Sequence, residues 1–111
     1  MNEILNDVEE LKDLIIDSDE YKEYVRITEV LDKNNEINSI INDIKRLQKK
    51  IVHQESKKED TSENEKKLSE LFEKLNSFEE YNNYLISAKK LNNLITDIQK
   101  KFEVCFNEIL G

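Results

Sequence analysis

Proline is absent from this 111-residue chain, and its only glycine is the last residue, Gly111. Tight turns and β-hairpins draw on both residue types, so a fold built from many chain reversals is excluded. What remains is a small number of long elements joined by short polar connections. Charged residues make up 38% of the chain and apolar residues 37%. That mixture suits amphipathic helices but borders on the disordered regime, so the spacing of the apolar residues has to decide.

The spacing decides for helix. Ile4, Leu5, Val8, Leu11 and Ile15 predict a first helix over 2–16. Ser18 is a suitable N-cap, and Asp19 and Glu20 occupy the following first turn, where the helix dipole favours negative charge. A second helix over 19–33 then carries Tyr21, Tyr24, Thr28 and Leu31. Asn34 and Asn35 mark a break, because Asn serves as an N-cap and tolerates left-handed backbone. Ile37, Ile40, Ile41, Ile44, Leu47 and Ile51 form one stripe of a third helix over 36–57. From His53 to Lys67 no residue is apolar, so a solvated tip is expected near 58–62. Ser62 with Glu65 reads as a capping box opening a fourth helix over 63–75, and Ser77 with Glu80 as a second box opening a fifth over 78–110. In that last helix Tyr81, Tyr84, Ala88, Leu91, Ile95, Ile98, Phe102, Cys105 and Ile109 alternate in steps of three and four. This is an a/d seam of the kind that packs lengthwise on a partner.

The expected fold is therefore all-α: a single domain over 1–111, an elongated antiparallel helical hairpin or bundle of about five helices, two of them long. One stripe per helix makes a thin core, and Leu94, Phe106 and Leu110 lie beside the seam of the last helix. Part of the apolar surface is expected to be buried between chains, most simply in a symmetric homodimer.

Charge excludes some functions and leaves others open. The formal net charge is −8, yet residues 45–58 ("KRLQKKIVHQESKK") carry six Lys/Arg against one acidic residue. So acidic a chain is a poor stand-alone nucleic-acid binder, since neutralising phosphates drives that binding. The basic segment keeps RNA as a second reading beside an acidic protein partner. It has no interleaved aromatic residue on which bases could stack. No apolar run reaches the length of a membrane span, and the acidic amphipathic "MNEILNDVEELKDL" is unlike a signal or transit peptide, so a cytoplasmic protein is expected.

The materials of catalysis are scarce. There is one His, one Cys and no Trp, with no glycine-rich phosphate loop and no paired metal-ligand spacing. His53 lies in the polar stretch and reads as a solvated surface residue. Cys105 takes a d position of the seam, where a small buried hydrophobe is wanted. No enzyme and no cofactor are expected. An iron–sulfur cluster shared through Cys105 is the alternative weighed, and one thiolate cannot hold a cluster alone. The candidate contact residues for a partner are Tyr21, Tyr24, Lys45, Arg46, Leu47, Gln48, Lys49 and Lys50. The tyrosines recur as "SDEYKEYV" and "SFEEYNNYL", and in both stretches they head an apolar stripe where a ring can be buried with its hydroxyl near water.

The stretch "SDEYKEYVRITEVLDKNNEINSIINDIKRLQKK" resembles the signature region of the YlbF/YmcA family of small helical bacterial proteins. Ser18, Tyr21, Tyr24, Leu31, Ile37, Ile41, Ile44, Leu47 and Gln48 stand at the matching positions. "KLSELFEKLNSFEEYNNYLISAKKLNNLITDIQKKF" continues the likeness as a short helix, a linker and a long terminal helix. "INDIKRLQKK" is nearest to the YmcA-like branch, and "FNEILG" is also similar to a sister group. The resemblance implies a cytoplasmic, non-enzymatic regulator working through homologous partners, in a complex that modulates RNase Y-dependent mRNA processing and is linked to competence, sporulation and biofilm formation. Some members carry clustered C-terminal cysteines associated with iron–sulfur binding. This chain departs from that pattern, having Cys105 alone.

Overall fold

A computed structural model describes residues 2–111. Among them the chain forms five α-helices and no strand: α1 (Asn2–Ile16), α2 (Asp19–Asp32), α3 (Asn35–Ser56), α4 (Ser62–Asn76) and α5 (Glu79–Leu110). The all-α expectation holds, and the two long helices are α3 with 22 residues and α5 with 32.

Two of the helix starts follow the expected chemistry. The Tyr21 amide donates to the Ser18 hydroxyl oxygen at 3.2 Å, so Ser18 caps α2. The Ile37 amide donates to Asn34 Oδ1 at 3.0 Å, so Asn34 caps α3. Asn34 also donates through its side-chain amide to Glu80 at 2.7 Å, tying the α2–α3 corner to the first turn of α5.

The two capping boxes do not form. Ser62 is the first residue of α4 rather than its cap, and its hydroxyl and backbone amide donate to Asp60 Oδ1 at 2.7 and 3.0 Å. Asp60 takes the Ser62 backbone amide that Glu65 would accept in a capping box, and Ser62 stands one position past the cap residue Thr61. Those two bonds hold the Asp60 carboxyl below the ordinary carboxylate range, the hydroxyl contributing most. A depressed pKa stabilises the fold above the unfolded value and ceases to do so as pH falls through the folded value. The start of α4 is therefore expected to lose amide protection first in acid, which hydrogen exchange across a pH series would read. Ser77 likewise ends α4 instead of opening α5: its hydroxyl donates to the Lys74 carbonyl at 2.6 Å. Glu80, its expected partner, is the acceptor for Asn34.

The α3–α4 connection is a Schellman-type stop. The Glu59 amide donates to the Gln54 carbonyl at 2.9 Å and the Lys58 amide to the Glu55 carbonyl at 3.1 Å. Lys58 takes the left-handed position, with φ of 58°. Glycine normally holds that position because a Cβ is strained there. Replacing Lys58 with Gly is expected to raise stability by about 1 kcal/mol, read as a higher urea midpoint.

Contacts group the chain into two compact units, Glu29–Asn83 and the residues up to Thr28 together with Tyr84–Gly111. In the first of these α3 packs on α4 as an antiparallel hairpin. The Asn64 side-chain amide donates to Gln54 at 2.9 Å near the tip. Every buried apolar residue among those described lies in this unit: Leu31, Ile37, Ile40, Ile44, Ile51 and Leu75. Ile37 is 0% exposed and Leu75 2%. Full burial of such a side chain is worth about 1.5–3 kcal/mol, so this unit holds the fully buried apolar core of the described residues.

The other unit comprises α1, the first part of α2 and most of α5. Its one buried described residue is Ser87, whose hydroxyl donates to the Tyr84 carbonyl at 2.9 Å. The Tyr24 and Tyr84 rings meet at 5.9 Å between centroids, tilted by 40°. Phe102 and Phe106 stack at the same separation one turn apart. No helix of the described residues is long and apolar enough to cross a membrane.

Candidate functional site

Helical geometry sorts α3 into two faces. At 3.6 residues per turn, Ile37, Ile40, Ile44 and Ile51 share one side and are buried against the hairpin partner. Lys45, Arg46, Lys49, Lys50, His53 and Lys57 fall within an arc of about 140° centred on the opposite side. No carboxylate of α3 falls inside that arc. The six residues are exposed and rise over three turns as a cationic stripe.

The stripe is not bare charge. Val52 is 65% exposed and flanks one edge, and half-buried Leu47 flanks the other. Lys45, Gln48, Lys49 and Val52 line a shallow depression of 390 Å³, and Arg46, Leu47, Lys49, Lys50 and His53 line a second of 510 Å³. Each depression combines lysine stems, an apolar side chain and cationic heads. Arg46 is held at the edge by Asp43, at 3.1 Å. The remaining cations on α3 form none of the described salt bridges.

The expected contact residues thus divide. Lys45, Arg46, Leu47, Gln48, Lys49 and Lys50 line two neighbouring depressions of the hairpin unit that share Lys49. Tyr21 and Tyr24 belong to the other unit, where both are half-buried and Tyr24 packs on Tyr84. Ring packing between α2 and α5 accounts for Tyr24 without a ligand. Sequence reasoning missed Val52 and His53 as members of the surface. Counting the stripe by helical angle instead of as a run would have found both.

A third charged depression, of 610 Å³, lies among Asp19, Glu20, Lys22, Glu23, Arg26 and Lys90. Arg26 donates to Glu23 at 2.6 and 3.1 Å and holds the Glu23 carboxyl below its ordinary range. Its three acidic and three basic groups balance, and all but half-buried Glu20 are exposed, so it resembles a helix surface more than a catalytic cleft. Among the described residues no group of three His, Cys, Asp or Glu side chains is placed to hold a metal ion.

Comparison with curated proteins returns no match. The pattern of the family described as "Control of competence regulator ComK, YlbF/YmcA" matches residues 4–103, which includes all of α2, α3 and α4 and the cationic stripe. The chain therefore belongs to the YlbF/YmcA family, a family linked to control of the competence regulator ComK.

Proposed function

We infer that this chain is a non-enzymatic regulatory adaptor that acts through protein contacts, and that the α3 stripe is where it receives an acidic partner surface. The observation that carries this reading is the composition of the stripe: six cationic or titratable groups in one arc with Val52 and Leu47 at its edges. A phosphate backbone would use the cations and leave the apolar edges without a role. An acidic amphipathic helix offers carboxylates at matching i, i+4 spacing together with apolar residues beside them. The stripe also stands out against a chain of net charge −8, which steers an acidic partner towards this one face.

By family resemblance the partners are homologous small helical proteins and RNase Y, and the process is mRNA processing in competence, sporulation and biofilm formation. Capture from the native cell tests the reading, with the wild-type chain and a K45E/K49E/K50E variant as parallel baits. The wild type is expected to recover family homologues or RNase Y, with or without nuclease treatment, and the variant to lose them. Recovery that disappears on nuclease treatment would favour direct RNA binding by the stripe instead.

A further inference from the structure

Helical geometry also sorts α1 into two faces. Leu11 and Ile15, the only residues of α1 that are not exposed, lie on one side. Glu3, Asp7, Glu9, Glu10 and Asp13 fall within an arc of about 160° across the other, and Lys12, the one cation of the helix, lies outside it. All five carboxylates are exposed, and of them only Glu9 forms a described salt bridge, to Lys12 at 3.7 Å. Leu14, 68% exposed, sits inside the arc, and Ile16, 40% exposed, borders it. This face is the charge counterpart of the α3 stripe. Each sets apolar side chains within or beside a row of like charges, and the two rows have opposite sign. Their lengths agree as well: at the helical rise Glu3 to Asp13 spans about 15 Å and Lys45 to Lys57 about 18 Å. The start of α2 is also acidic, but there Glu23 is paired to Arg26 at 2.6 Å, with Lys22 and Lys90 in the same depression.

We propose that the α3 stripe receives α1 of a second copy of this chain, which screens the stripe from other acidic partners. This docking rests on the reading of the stripe as a receptor for an acidic amphipathic helix and supplies a regulator of that same face. Both faces are exposed in the single chain, so the occupant of each comes from outside it. The contact joins two different surfaces, carboxylates of one copy against lysines of the next, with Leu14 and Ile16 meeting the apolar edges at Val52 and Leu47. Occupancy of the stripe by α1 and by an acidic partner is mutually exclusive. The share of free stripes therefore falls as the concentration of the chain itself rises.

Calorimetric titration of charge-reversed full-length chains at low salt tests the pairing. D7K/E10K/D13K makes α1 basic, and K45E/K49E/K50E makes the stripe acidic. All six positions are exposed, so both variants are expected to keep the wild-type helical spectrum. Neither can dock on itself, since one presents two basic faces and the other two acidic ones. Mixed, each offers what the other lacks, and the pair is expected to associate about ten-fold or more tightly than either does with itself. Both variants remain net negative, so that attraction has to be local. The neutral variant D7N/E10Q/D13N is a milder arm, expected to bind K45E/K49E/K50E about ten-fold less tightly than the basic one does. A mixture no tighter than the two self-titrations would overturn the proposal, and so would an equal gain with the neutral variant. Association of the mixed variants when capture finds no acidic partner would sink the adaptor reading and leave α1 docking intact. Capture without mixed association would do the reverse.

Discussion

Replacing Ile37 with alanine is expected to cost about 3–5 kcal/mol of folding stability, the upper part of the range for a large-to-small change in a packed core. Ile37 is wholly buried, and its amide makes the cap bond to Asn34 that starts α3. Six apolar residues hold the hairpin unit, so the remaining five have little freedom to collapse into the space a lost side chain leaves. Single domains are stable by about 5–15 kcal/mol, and so large a loss would leave a substantial unfolded fraction near body temperature. Urea unfolding followed by circular dichroism measures it. The control is Ile109→Ala, also an isoleucine-to-alanine change in a helix but at 76% exposure. It is expected to shift folding stability by less than about 0.5 kcal/mol when both are compared as monomers. A result in which the two cost the same would contradict the placement of the core in Glu29–Asn83.

The second large effect concerns binding. The triple variant K45E/K49E/K50E turns the basic 45–58 segment negative while touching no buried residue. Each lost contact to an opposed carboxylate, with repulsion in its place, is worth about 1 kcal/mol at a partly solvated interface, so three weaken an acidic partner by on the order of a hundred-fold. Most of that loss should relax as salt is raised, because screening removes the repulsion along with the attraction. Thermal unfolding of the variant should stay within about 1 kcal/mol of the wild type, since surface charges contribute little to folding. Val52→Asp provides a separate arm. It tests the apolar edge, which a protein partner would use and a phosphate backbone would not.

The helices were legible because the apolar spacing is regular outside the polar stretch 53–67 and the chain has no proline and no internal glycine. The observed ends of α1 through α5 fall within a residue of those read from spacing. The local chemistry at the helix ends was less legible. "S-x-x-E" satisfies a capping box only if no stronger acceptor stands nearby, and Asp60 and the Lys74 carbonyl were each in reach. Lys58 at a left-handed position could not be read from a run of polar residues. For the contact surface, the basic run was visible but its geometry was not. Only the helical angle shows that Lys45, Lys49, His53 and Lys57 align while Leu47 and Val52 bracket them. The tyrosines head apolar stripes, as their register suggested, and Tyr24 packs on Tyr84.

The proposed adaptor role places an acidic protein partner on the α3 stripe. The most direct measurement is the side-by-side capture of wild type and K45E/K49E/K50E from nuclease-treated extract of the native cell, both baits verified as folded by their helical spectrum. YlbF/YmcA homologues or RNase Y are expected to accompany the wild type and to be lost from the variant. Equal recovery on both baits, or recovery of none of these proteins by a folded wild-type bait, would contradict that role.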